Sequence, residues 1–182
     1  MIRMATITMY AIRRLVPALL LGLALSFTAQ AADAPESQSA APAFGPSDLD
    51  RAFPRSNIEI ATPDARLHHF KSWIADDDQR RQRGLMFVRK LGDTDSMLFI
   101  YPQPMRVAMW MKNTYLPLDM LFVAADGKVI KVVQNTEPLS LNTIESGGIV
   151  LGVVELPAGT AARLKIAAGA RVIHSALKES PQ

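Results

Sequence analysis

The sequence contains no cysteine. Disulfide staples, thiol nucleophiles, thiolate metal sites and dithiol redox exchange are therefore excluded. Histidine is nearly as scarce, with three in 182 residues. His68 and His69 are adjacent and would face opposite sides of a strand, and His174 stands alone. No H-x-x-E-H or related ligand spacing occurs, no G-x-S-x-G, and no glycine-rich loop of the phosphate-cradling kind. An excess of one charge is also missing once the start of the chain is set aside. The 20 Lys+Arg face 17 Asp+Glu, but Arg3, Arg13 and Arg14 precede Ala32 and no acidic residue does. From Ala32 onward the two signs balance, which leaves nothing to favour nucleic acid as a partner.

Long apolar runs are limited to one. Leu15 to Phe27 is apolar, follows a basic start and precedes Ala29-Gln30-Ala31, an A-x-A cleavage site. Residues 1–31 are expected to be a signal peptide, with Met4 and Met9 as alternative starts. The run is shorter than the about 20 apolar residues of a spanning helix, so no stable membrane insertion is expected after cleavage. An uncleaved anchor is the alternative. Location is expected to be periplasmic or secreted. Residues 32–56 are rich in Ala, Pro, Ser and Gln without a period, as a flexible tether would be. That leaves 57–178 as one globular domain large enough for its own core.

Within it, Ile58-Glu59-Ile60 and Arg66 to Ala75 flank the turn residues 62–65 and predict a hairpin. Asp76-Asp77-Asp78 ahead of Arg80, Arg81 and Arg83 predicts a short helix ending between Gly84 and Val88. Ser96 to Tyr101, stopped by Pro102 and Pro104, and then Arg106 to Met111 read as two strands. Asp119 to Ala124 and Lys128 to Val133 flank the turn signal Asp126-Gly127. Residues 136–148 read as loop, Ile149 to Leu156 as a buried strand, Pro157 to Ile166 as a second short helix and Ala170 to Ala176 as a last strand. The fold class is mainly β (α+β): a compact barrel or sandwich of seven to eight short strands with two short helices.

Chemistry concentrates in Trp110 to Phe122, WMKNTYLPLDMLF. Lys112, Asn113 and Thr114 could bind an anionic or carbonyl group, and Asp119 could act as a base or ligand. Asp119 could equally accept backbone N–H groups of the Asn113-Thr114-Tyr115 turn and neutralise Lys112. Glu155, alone in an apolar strand, needs a cation such as Arg83 or Lys112, or a place at a strand end. Arg80, Arg81 and Arg83 could clamp a carboxylate or phosphate, or simply form a solvated face. Six methionines lie between Met86 and Met120, and Met109 with Met111 could hold Cu(I) on one strand face. Methionine is also a gap-filler of cores.

In chain order, RGLM (Arg83 to Met86), MLF (Met97 to Phe99), WMKNTYLPLDMLF, the Asp126-Gly127 turn, Pro138 and VVELPAGTAARL (Val153 to Leu164) resemble the domain of unknown function 192 family. The resemblance spans about Ile58 to Val172. It implies a compact β-rich domain, often exported, and no established reaction. One departure is Ala170, where the family usually carries Asp after Gly169. The sequence thus points to a monomeric periplasmic binding or accessory module for a small molecule or an envelope protein. Its ligand-binding candidates are Arg83, Lys112, Asn113, Thr114, Asp119 and Glu155, with no cofactor expected. A hydrolase or transferase using Asp119 with Lys112, and a copper carrier on Met109 and Met111, are the alternatives.

Overall fold

The computed structural model describes residues 45–177, so the expected signal peptide and most of the tether lie outside the described residues. The chain runs α1 (Pro46–Ala52), β1 (Arg55–Ala61), β2 (Leu67–Ala75), α2 (Asp78–Arg83), β3 (Asp95–Met109), β4 (Leu118–Val123) and β5 (Val129–Val133). It continues through β6 (Ile144–Pro157), α3 (Thr160–Leu164), β7 (Arg171–Ile173) and a 3-10 turn, Ser175–Leu177. The seven strands form one sheet in the order β5-β4-β6-β3-β2-β1-β7. All neighbours are antiparallel except β2 and β3.

The sheet curls until its two edge strands nearly meet. Lys128 bridges Arg171, and backbone N–H groups of Val129, Gly169 and Val172 donate to Ala170, Val129 and Gly127, each at 2.8 Å. The mainly β fold is therefore a nearly closed barrel. Ala170 at this seam is fully buried and contributes its carbonyl to Val129. Gly127 has φ +85°, and a Cβ there would come 2.4 Å from the carbonyl oxygen of Val172. Gly127→Ala would both force an L side chain into left-handed backbone and open the seam. It should cost about 1–2 kcal/mol, read as a lower urea midpoint; an unchanged midpoint would mean the seam contributes nothing.

Alternation along the strands divides the interior into two clusters on opposite faces of the sheet. Trp73, Met97, Phe99, Met120, Phe122 and Val153 belong to one, with Leu49 of α1 and Leu85 beyond α2. Ile74, Leu98, Leu121, Val154 and Leu156 belong to the other, with Ile58, Ile166 and Val172. Glu155 falls between Val154 and Leu156, and so on the first face. Its cross-strand neighbours are Met97 on β3 and Met120 on β4, both fully buried.

Three boundaries differ from expectation. Order begins before Asn57, because Pro46–Ala52 form α1 and place Leu49 and, just beyond, Phe53 in the core. The Asp50 carboxylate accepts the Trp73 indole N–H at 2.8 Å. Seven helical residues hold too few apolar positions to show a period, so α1 is invisible in sequence and is a third helix. Pro102 and Pro104 do not end a strand either. They lie within β3 where its register with β6 shifts between Ile100 and Met105, so their missing N–H groups fall where pairing is already interrupted. Finally, β6 begins at Ile144 rather than Ile149, its first residues paired with Ala108 and Met109.

Candidate functional site

The turn after β3 is built by its own backbone. Thr114 N–H donates to Met111 at 3.0 Å, Asn113 adopts φ 56°, and the Thr114 hydroxyl donates to the Lys112 carbonyl at 3.3 Å. Asparagine tolerates left-handed backbone better than most residues, which accounts for its place here. The turn also ties down its surroundings: Phe87 N–H donates to the Asn113 carbonyl at 2.8 Å and Leu139 N–H to that of Thr114 at 3.1 Å. Asn113 is thus a structural residue, its side-chain amide directed at the Met86 sulfur, 3.8 Å away.

Asp119 has a different role from either sequence reading. It is fully buried, with Oδ1 accepting the Asn135 N–H at 2.9 Å and Oδ2 the Ala161 N–H at 2.7 Å. These donors belong to the loop after β5 and the first turn of α3, not to the Asn113-Thr114-Tyr115 turn. The N-cap position of α3 is Gly159, which has no side chain to offer. Asp119, from β4, caps the helix in its stead. Both oxygens are occupied by backbone, and no ion pair joins Asp119 to Lys112 among the described residues. The carboxylate is thus engaged as a structural cap.

The remaining candidates converge. Arg81 and Arg83 of α2, Tyr101 of β3, Lys112 and Thr114 of the turn, and Glu155 of β6 line one pocket of about 100 Å³. Gly84, Met109 and Trp110 complete much of its wall. Four of the six ligand-binding candidates, Arg83, Lys112, Thr114 and Glu155, therefore share one site, and Asn113 and Asp119 do not line it. Arg80 turns away toward α1, its Nε donating to the Ala52 carbonyl at 3.2 Å. Arg81 is held by the carbonyls of Asp76 and Ile100 at 2.7 and 2.6 Å, with its guanidinium 5.6 Å from the Tyr101 ring centre. Arg83 lies 5.5 Å from the Phe53 ring centre. Lys112 is exposed, its Nζ 5.1 Å from the ring centre of Trp110, itself 45% exposed.

Glu155 at the bottom of this arrangement is 4% exposed. Among the described residues its carboxyl has no hydrogen-bond or ion-pair partner, including the Arg83 or Lys112 expected for it. Burial pushes its pKa up to about 8. Near neutral pH it is therefore a protonated acid that can donate one hydrogen bond and accept others. Tyr101 is pushed up to about 12, first by burial and then by the charge of Glu155, against a smaller opposing effect of Arg81. Its hydroxyl stays protonated and donates to the Met109 sulfur at 3.4 Å. Tyr101 had no site signal in the sequence; it reaches the pocket from β3, which pairs with β6.

The two methionines of the copper alternative are engaged separately. Met109 accepts from Tyr101, and buried Met111 accepts the Thr136 hydroxyl at 3.2 Å. Among the described residues no three His, Cys, Asp or Glu side chains are grouped so that they could hold one metal ion.

The fold and sequence of this chain have counterparts. The family model of domain of unknown function 192 (Uncharacterized ACR) matches residues 59–174. This chain belongs to that family. It is similar to a solved structure from Sinorhizobium meliloti described as a proposed transcription regulator, at 38% identity and TM-score 0.67, covering 68% of this chain and 96% of that one. It is also similar to a protein of unknown function from Novosphingobium aromaticivorans, at 32% identity and TM-score 0.66, covering 75% and 94% of the two chains. Among curated proteins no match is found.

Proposed function

We propose that this protein is an exported, monomeric small-ligand-binding module whose ligand occupies the Glu155 pocket. One observation carries the reading: a buried carboxyl without a partner among the described residues lines a concave site that also presents cations and protonated hydroxyls. Holding a carboxyl in an apolar strand costs desolvation energy, and such groups are retained where they are used. The low histidine content and the balanced charge beyond Ala32 weigh against metal hydrolysis and against nucleic acid. The regulator description of the Sinorhizobium relative is therefore not extended to this chain. Among the described residues no helix is long and apolar enough to cross a membrane.

The test is a binding screen on the full chain, followed by heteronuclear NMR, with Lys112→Ala as the variant. Because Lys112 is exposed, its removal should leave stability within about 0.5 kcal/mol. Binding should weaken about tenfold, equivalent to about 1.4 kcal/mol. Ligands that bind elsewhere, or with equal affinity to the variant, would defeat the reading. A second reading has one observation in its favour: a carboxyl that keeps its proton near neutral pH is suited to general acid catalysis. In that case the wild type would turn over a substrate from an activity panel, and Glu155→Gln would not.

A further inference from the structure

We infer that the end of the barrel carrying Trp110, Leu139 and Leu141 docks on an anionic lipid surface, with Arg89 and Lys112 against the headgroups. Docking there does not depend on what occupies the Glu155 pocket.

Backbone bonds assemble the patch. The loop 134–143 returns beside the turn after β3: Met111 N–H donates to the Ser140 carbonyl and Leu139 N–H to that of Thr114, each at 3.1 Å. Leu139 and Leu141, 52% and 69% exposed, thus come to the same end as Trp110, 45% exposed. None of the three belongs to either core cluster. Leu139 also has φ 63°. Left-handed backbone is unfavourable for a bulky side chain, and glycine or asparagine would hold such a turn at less cost. A leucine there serves neither the turn nor the core.

Charge selects the occupant. Arg89 and Lys112 are both exposed, the Arg89 guanidinium 4.4 Å from the Tyr115 ring centre and Lys112 Nζ 5.1 Å from that of Trp110. Among the described residues neither is ion-paired to a carboxylate. Lys90, also exposed, follows Arg89, and Glu137 is the only acid of the loop. Cations beside indole, phenol and leucine side chains suit a headgroup boundary, where apolar groups enter the acyl side and cations meet phosphates. An acidic peptide would satisfy the same cations, but a peptide site encloses its apolar lining in a groove. Leucines more than half exposed need a partner that deforms around them, which is lipid.

Tryptophan fluorescence reads the docking locally, because Trp73 is fully buried and Trp110 is the only other indole. The full chain is titrated with vesicles of equal parts phosphatidylcholine and phosphatidylglycerol, with pure phosphatidylcholine vesicles, and with polyglutamate. A blue shift of Trp110 and its quenching by acyl-brominated lipid are expected with the anionic vesicles alone. Attachment through Leu15 to Phe27 alone would leave Trp110 in water. Arg89→Gln should weaken the Trp110 response about fivefold, and Leu139→Ser with Leu141→Ser at least about tenfold. Added salt should weaken it in wild type. These side chains are exposed, so urea midpoints should stay near wild type and separate lost docking from lost folding. Vesicle binding that leaves Trp110 in water would overturn the inference. So would equal responses to both vesicles, or equal responses of wild type and the leucine variant. A Trp110 response to polyglutamate without one to vesicles would replace lipid with an acidic polypeptide.

Discussion

Between pH 4.5 and 8, wild-type protein should lose stability on the order of 5 kcal/mol relative to Glu155→Gln. In the unfolded chain Glu155 has its ordinary value of 4.5, and in the fold it is pushed up to about 8. Below the lower value both states hold the proton. Between the two values the unfolded chain releases it and the folded chain keeps it, so each pH unit costs the fold about 1.4 kcal/mol. Above about 8 both states are ionised and the penalty is constant. His174, which burial holds below its usual range, contributes with the opposite sign, and comparison with Glu155→Gln cancels it. Urea midpoints at pH 5 and 8 for both proteins check the expectation. Parallel behaviour of the two would show that Glu155 is hydrated or partnered in solution.

The same reasoning gives Glu155→Met a higher midpoint than wild type at pH 8. Met97 and Met120 flank the position on one apolar face, and a thioether suits that environment without desolvation cost. A stabilised protein that no longer binds ligand is what a residue retained for function should give.

Asp119→Ala should be the most damaging single change at the signature motif, costing about 3 kcal/mol or more. Two backbone donors, Asn135 N–H and Ala161 N–H, would be left without their carboxylate inside the protein. Hydrogen bonds to an ionised group are each worth about 1.5–3 kcal/mol. Asp119→Asn should cost less, about 1–3 kcal/mol, since the amide can still accept one bond but turns an N–H toward the other donor. The urea midpoint measures both, and hydrogen exchange would locate the loss in α3 and the loop after β5. Ligand affinity of the folded fraction should be retained, because Asp119 does not line the Glu155 pocket. A stable Asp119→Asn protein would remove the assignment of Asp119 as the cap of α3.

These two carboxylates show where local pattern stops being informative. Asp119 sits in the more conspicuous motif, beside a lysine and a polar turn, yet its partners are 16 and 42 residues away along the chain. Glu155 is an isolated acid in VVELPAG, and its importance comes from facing Met97 and Met120 under the α2 arginines. Sequence spacing measures distance along the chain, whereas burial and hydrogen bonding depend on elements brought together by folding.

The sequence by itself determined the mainly β class, the β1–β2 hairpin, α2 and the Asp126-Gly127 turn, because each rests on alternation, capping or turn chemistry within about ten residues. It also determined the family, through motifs in fixed order. Only the tertiary structure decided that Leu49 and Phe53 enter the core and that Pro102 and Pro104 lie within one long strand at a register shift. It likewise decided that the barrel closes at Gly127 and that Arg83, Lys112, Thr114 and Glu155 meet while Asn113 and Asp119 hold the scaffold. The physical reason is common to all of these: long-range strand pairing selects which residues share a face, and a carboxyl's chemistry is set by the donors and the dielectric that pairing brings to it.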